Sequence, residues 1–403
     1  MIKKIDGGVC AAKGFKAGAV HCGIRRSQSK KDLAIIASDV VCNAAGVFTR
    51  NVVKASPVIL DRDRLANGKA QGVIVNSGIA NACAPNGMDN AVAEAKLGAE
   101  KLGIPENLML VSSTGVIGME LPLKPIREHI GEIEMKEDNA LEAARAIMTT
   151  DTKEKLSAVE FELGGKTCRL GGICKGSGMI HPNMGTMLCY ITTDAAVSSA
   201  MLKRALLENV RTTFNRVSID GDTSTNDSCI LMANGLAGNA PILEPGGDYP
   251  AFSEALHEVM QDLAKKIAAD GEGATRLVTV NVRGAKSEDE AETLAKSIGS
   301  SSLTKAAMFG ADANWGRVLC AMGYSGVAFN PSGVDIAFAS RVGRIAVCRG
   351  GRGIDFDEDL AKKILSEDEV EINVTMKEGD GEATCWGCDL TYDYVKINGD
   401  YRT

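Results

Sequence analysis

One loop and the threonine that ends it hold the most promising chemistry in this sequence. Lys175-Gly176-Ser177-Gly178-Met179-Ile180-His181-Pro182-Asn183-Met184-Gly185-Thr186 is loosened by glycine and turned by proline, and it feeds an apolar run, Leu188-Cys189-Tyr190-Ile191. A threonine there can attack the carbonyl before it, cut its own chain and become the first residue of a new polypeptide. An internal threonine hydroxyl is a weak nucleophile and needs a neighbouring base. A freed α-amine, with a pKa of roughly 7.7–8.0, supplies that base on the same residue, directly or through one water. Gly185 suits the bond, because a residue without Cβ tolerates strained torsions and leaves its carbonyl open. On local sequence alone the plain alternative is a loop-to-strand turn followed by an ordinary strand threonine.

Other clusters could serve such a nucleophile. Ser112-Ser113-Thr114-Gly115-Val116-Ile117-Gly118 follows a strand-like run, and its hydroxyls and amides are the groups that build an oxyanion hole. It reads equally as a Ser/Thr-rich turn. Asp270-Gly271-Glu272-Gly273-Ala274-Thr275 frames a carboxylate with two glycines and suits an ammonium. Asp220-Gly221-Asp222-Thr223-Ser224-Thr225-Asn226-Asp227 is an Asx-rich turn or a substrate rim, and Asp312 to Arg317 is a capped helix start with a buried Trp315.

Competing machinery is missing. None of the four histidines, His21, His129, His181 and His257, accompanies a Gly-x-Ser-x-Gly elbow. Gly165-Lys166-Thr167 copies the end of a phosphate loop, but Glu160 stands where its first glycine belongs, and Gly176-Ser177-Gly178 is followed by His181 where a dinucleotide loop needs glycine. Cys385-Trp386-Gly387-Cys388 has no second pair to complete a zinc site, so no metal is expected. The twelve cysteines read as reduced core residues. A net charge of −7 and only 4% aromatic residues argue against a nucleic-acid partner. No apolar stretch reaches membrane-spanning length and the first residues do not form an export signal, so a cytoplasmic protein is expected.

These groups must be positioned by alternating strands and amphipathic helices. Strands are expected over 32–41, 52–60, 72–76 and 108–112, then a hairpin of 157–163 and 167–174 around Gly164-Gly165. Further strands are expected over 188–193, 277–282, 334–339, 344–348, 370–376 and 385–398. Helices are expected over 89–102, with Val92, Ala95, Ala99 and Leu102 on one side, and over 139–148, 198–214, 253–268 and 287–298. The segment 239–250, with three prolines and two glycines, reads as a linker or long loop. Mixed elements with repeated hairpins predict an α+β layered fold.

Taken in order, the motifs resemble the ornithine acetyltransferases of arginine biosynthesis, also called glutamate N-acetyltransferases. The landmarks are Ala44 to Thr49, Asn76-Ser77-Gly78, Ser113 to Gly118, Thr149-Thr150-Asp151-Thr152 and Lys175 to Ile180. They continue with Gly221 to Asp227, Ala311 to Arg317, Trp386 to Thr391 and the tail Lys396 to Thr403. They span essentially the whole chain. The resemblance implies autocatalytic cleavage between Gly185 and Thr186, giving an α chain of 1–185 and a β chain of 186–403. It implies ping-pong transfer of acetyl from N2-acetyl-L-ornithine to L-glutamate through acetyl-Thr186. Thr114 and Gly115 match the oxyanion hole, and Thr152, Lys175, Thr186, Glu272, Asn398 and Thr403 match substrate-binding positions.

The family usually has alanine before the nucleophile where this chain has Gly185, an asparagine where it has Ile79, and often an alanine where it has Cys385. The resemblance further implies small-molecule substrates only, no cofactor, and a heterotetramer of two α and two β chains. It leaves open whether acetyl-CoA is a second donor, which would make the enzyme multifunctional. The rival within the same architecture is an N-terminal-nucleophile aminopeptidase or amidase. The rival of another class is an uncleaved amino-acid-binding protein.

Overall fold

The computed structural model describes residues 2–25, 27, 29–181 and 187–400. Its described residues form two compact units between which the backbone passes repeatedly. The first is built from Met1–Gly176, Pro182–Asn215 and Thr223–Leu263, the second from Ser177–His181, Arg216–Asp222 and Ala264–Thr403.

In chain order the first strands are β1 (Lys3–Lys4), β2 (Phe15–Val20), β3 (Leu33–Phe48), β4 (Lys69–Ile79), β5 (Met109–Val116), β6 (Lys155–Leu163), β7 (Lys166–Lys175) and β8 (Leu188–Thr193). They are followed by β9 (Val217–Ser218) and β10 (Ser228–Ala233). All but β9 form the sheet of the first unit, in the order β1-β6-β7-β8-β10-β3-β4-β5, with β2 pairing β3. Its pairs are antiparallel except β8 with β10 and β4 with β5. The central strands β8 and β10 are buried along their whole length, which explains the continuous apolar run of β8; β10 was not expected from the sequence. The hairpin of β6 and β7 turns on Gly164 and Gly165, both at positive φ, as a two-residue turn between right-twisted strands requires.

Helices cover both faces of this sheet. They are α1 (Ser56–Arg64), α2 (Gly87–Leu102), α3 (Leu123–His129), α4 (Ala140–Ile147), α5 (Ser199–Thr212) and α6 (Tyr249–Ala269), whose last turns belong to the second unit. One core gathers Phe15, Ile36, Val73, Tyr190 and Ile230 with Ala143 and Ile147 of α4. The other gathers Ile35, Ile74 and Val111 with Ala91 and Ala95 of α2. Adjacent residues such as Ile35 and Ile36 thus serve opposite faces, as the pleat dictates.

The second unit continues with α7 (Glu288–Ser300), α8 (Ser302–Phe309), α9 (Trp315–Gly323), α10 (Glu358–Leu365) and α11 (Tyr392–Gly399). Its other strands are β11 (Leu277–Ala285), β12 (Asp335–Ser340), β13 (Gly343–Arg349), β14 (Arg352–Gly353), β15 (Glu369–Thr375) and β16 (Gly381–Cys388). Its sheet runs β14-β13-β12-β15-β11-β16-β9. The whole is an α+β layered fold, as expected. No described helix is long and apolar enough to cross a membrane.

Four local expectations need correction. Residues 52–60 are not a strand: Ser56-Pro57 starts α1, where proline's fixed φ and missing N–H fit the first turn, and Val52 is 94% exposed. The run 385–398 is a strand only to Cys388; Asp389 then turns the chain by accepting the backbone N–H groups of Thr275 and Arg276, and α11 follows. On α2 the buried stripe is Ala91, Ala95, Gly98 and Ala99, while Val92 faces outward. Asn314 caps α9 as expected, but Trp315 is only half-buried. The segment 239–248 is a loop within the first unit, and Tyr249 and Pro250 already open α6.

Candidate active site

The cleavage motif lies in the chain between β7 and β8, two strands of the first unit. These strands pair antiparallel with Lys175 opposite Leu188, so the ladder brings the two ends of the loop together. Met187 is buried, and its carbonyl accepts the Ser228 N–H at 2.9 Å.

The end of β5 presents Thr114 and Gly115. Gly115 has φ +134°, and a Cβ there would stand 2.2 Å from the Gly78 carbonyl carbon, so only glycine fits this register of β4 against β5. Asn226 fixes the same strand end, its side-chain amide donating to the carbonyls of Ser113 at 2.7 Å and Ala80 at 2.6 Å. On the other side Asn76 is fully buried and donates to the Ile79 carbonyl at 2.9 Å, and Ser77 donates to the Ala146 carbonyl at 2.5 Å. The Asn76-Ser77-Gly78 motif thus ties the end of β4 to itself and to α4, and β4 pairs in parallel with Ser113 to Gly115 of β5.

Lys175 reaches into this region. Its ammonium donates to Thr149 Oγ1 at 2.8 Å and to Thr114 Oγ1 at 3.4 Å, and it lies 4.0 Å from Asp151 Oδ2. Asp151 is fully buried. Its Oδ1 accepts from Lys155 Nζ at 2.8 Å and from the Gly176 N–H at 2.7 Å, and its Oδ2 accepts the Thr149 N–H at 3.1 Å. Burial alone would raise the carboxyl's pKa, but the charges of Lys175 and Lys155 outweigh it and hold Asp151 well below the usual carboxylate range. Lys155 is itself 1% exposed and also donates to the Lys153 carbonyl at 3.2 Å.

The second unit holds another group of the singled-out residues. Glu272 is buried, and its carboxylate accepts the Asn398 amide of α11 at 2.7 Å. The Glu272 N–H donates to the Ser177 carbonyl at 2.8 Å, and Ser177 Oγ donates to the Asp270 carbonyl at 2.7 Å. A Cβ on Gly178 would stand 2.3 Å from the Glu272 carboxyl carbon, so the second glycine of Gly176-Ser177-Gly178 makes room for that side chain. Further along, Asp220 accepts the N–H groups of Met179 at 2.6 Å and Ile180 at 2.9 Å. His181 pairs with Ser218 Oγ at 3.0 Å, and burial lowers its pKa.

Of the residues singled out in the sequence, the fold brings Thr114, Gly115 and Lys175 together in the first unit, and Glu272 and Asn398 in the second. Thr152 follows Asp151 and is exposed. Gly185, Thr186 and Thr403 lie outside the described residues. Sequence reasoning missed Lys155, and it quoted Asp151 and Asn226 only within longer motifs, without a role of their own. The Asp151-to-Lys155 spacing reads as an ordinary surface contact until the fold buries it. Cys385 and Cys388 are buried in β16, where desolvation pushes the Cys385 thiol up to about 12 and raises Cys388, the reverse of what thiolate chemistry needs.

A family model described as the ArgJ family matches residues 16–403. A protein of Thermotoga neapolitana named arginine biosynthesis bifunctional protein ArgJ is 52% identical over 395 residues, 97% of this chain and 99% of its own. One of the same name from Caldanaerobacter subterraneus is 50% identical and covers 99% of both chains. Among solved structures, a chain of the ornithine acetyltransferase of Mycobacterium tuberculosis, complexed with ornithine, is 35% identical. It matches 46% of this chain and all of its own, with a TM-score of 0.43.

Proposed function

The chain belongs to the ArgJ family, and from that premise we propose that it transfers acetyl from N2-acetyl-L-ornithine to L-glutamate on a threonine that it frees itself. The Thr186 hydroxyl adds to the Gly185 carbonyl, the acyl group shifts from nitrogen to oxygen, and water hydrolyses the ester. The products are chains 1–185 and 186–403, the second beginning with a free amine beside the hydroxyl. We place these chains in a heterotetramer of two of each, in the cytoplasm, with no cofactor.

In the first half-reaction Thr186 Oγ attacks the acetyl carbonyl while its own amine takes the proton. The tetrahedral oxyanion is met by the Thr114 hydroxyl and the Gly115 amide. Collapse breaks the C–N bond, the departing nitrogen is protonated, and ornithine leaves an acetyl ester on Thr186. Glutamate's amine then attacks the ester, and Thr186 regains its proton. Lys175 pairs with a substrate carboxylate and Glu272 with a substrate ammonium, while Thr152, Asn398 and Thr403 complete the binding groups.

The observation that carries this reading is the position of Lys175. It is paired in register with Leu188, two residues beyond Thr186, and its ammonium touches the Thr114 hydroxyl. The name bifunctional, borne by the relatives, supports a second activity in which acetyl-CoA acetylates glutamate. Intact mass is the first test. Wild-type protein is expected as two chains, and Thr186→Ala as one inactive chain. A variant that still cut at the same bond would falsify the mechanism, and hydrolysis of N-acetylornithine without transfer to glutamate would move the enzyme to the amidases.

A further inference from the structure

We propose that Lys155, acting through Asp151, is a positioning residue that keeps the Lys175 ammonium turned toward Thr114 and the substrate carboxylate. The inference rests on the acetyl-transfer reading above. Asp151 is one buried carboxylate facing two lysines, so the three groups sum to a single positive charge in a desolvated place. The carboxylate's hydrogen-bonding capacity is shared unequally. Lys155 Nζ binds Oδ1 at 2.8 Å, and the Gly176 and Thr149 N–H groups take further lone pairs, whereas Lys175 stands off at 4.0 Å. Lys155 therefore answers the Asp151 charge directly, while Lys175 donates to the hydroxyl oxygens of Thr149 and Thr114.

That arrangement has a consequence for the oxyanion hole. A hydroxyl has one proton to donate and two lone pairs. By donating to Thr114 Oγ1, Lys175 occupies a lone pair and leaves the Thr114 proton to be donated outward. Without Lys155, the buried carboxylate would have Lys175 as its nearer counter-ion. The ammonium would be drawn onto Asp151, away from Thr114 and from substrate. Gly176, tied to the same carboxylate, begins the loop that leads to Thr186, so the network also fixes where that loop starts.

The test uses the full-length, self-processed enzyme with N-acetylornithine and glutamate, and monitors folding by circular dichroism and cleavage by intact mass. Lys155→Met is expected to lose roughly 10–100-fold in kcat/KM, the range typical of partners one shell removed from the reacting groups, with a rise in KM for both substrates. Lys155→Arg should recover part of the loss. The double variant Asp151→Asn/Lys155→Met removes the anion together with its counter-ion, and is expected within about tenfold of wild type. Folded, cleaved Lys155→Met with wild-type kinetics would overturn the proposal, as would a folded double variant no better than the single one. If Lys155→Met does not fold, the double variant decides: near-wild-type transfer supports the proposal and lost transfer sinks it. Wild-type enzyme that transfers no acetyl would instead remove the functional reading beneath it.

Discussion

Asp151 and the pair Asp61/Glu94 are carboxyls of the same unit with the same burial and opposite fates. Asp151 sits between two lysines and two backbone N–H groups and is held as an anion. Asp61, on α1, accepts the Val111 N–H at 2.9 Å, but its second oxygen and both Glu94 oxygens have no hydrogen-bond partner among the described residues. Desolvation pushes both pKa values well up, and the neighbouring Asp61 adds to the rise at Glu94. Burial alone therefore does not mark a working carboxylate. What distinguishes Asp151 is the counter-ion brought to it, and that counter-ion lies beside the residues that make the candidate oxyanion hole. Glu272 is a third case: it is buried, and its carboxyl accepts the neutral amide of Asn398.

Breaking the compensated site should have the largest effect. Asp151→Leu leaves Lys155 buried without its anion and is expected to lower stability by about 3–5 kcal/mol, read by denaturant unfolding. Changing the uncompensated site should act in the other direction. Glu94→Met removes two unpartnered buried oxygens and is expected to gain about 1–3 kcal/mol near neutral pH. The sign with pH follows from the raised folded-state pKa. The Glu94 carboxyl contributes fully below its unfolded pKa of roughly 4.3, and that contribution is lost as pH rises toward the folded value. The gain from Glu94→Met must therefore grow between pH 4 and pH 8. An equal gain at both would show that Glu94 is not held protonated.

The neutral-partner case should respond least in stability. Asn398 is exposed, so Asn398→Ala is expected to change unfolding free energy by less than about 1 kcal/mol. Its effect should appear as a rise in KM of several-fold, because the Glu272 carboxylate loses its orienting amide. An unchanged KM for both substrates would detach Asn398 from the site.

Much of this was legible in residue order because the signals are local. The β6–β7 hairpin follows from Gly164-Gly165, α4 and α7 from their periodicity, and β8 from a short apolar run, whereas β10 (Ser228–Ala233), its parallel neighbour, went unread. The places where the sequence misled are those where one short signal outweighed another. Ser56-Pro57 overrode the apolar run after Val52, and Asp389 ended a strand whose composition would have continued it. In the site, Thr114-Gly115 and Glu272 stood out because hydroxyls, glycines and a framed carboxylate are unusual in those densities. Lys155 did not, since a lysine four residues after an aspartate is common on any surface.

The sequence by itself determined the family, through motifs in order along the chain, and with it the expected nucleophile, the oxyanion residues and most binding groups. Tertiary structure decided the electrostatics. It set Lys175 opposite Leu188 in register, paired Lys155 at the start of β6 with Cys174 of β7, and buried one carboxylate with two ammonium groups. The physical reason is that a residue's charge and hydrogen-bonding role depend on what is desolvated around it, and those neighbours come from strands and loops far apart in the chain.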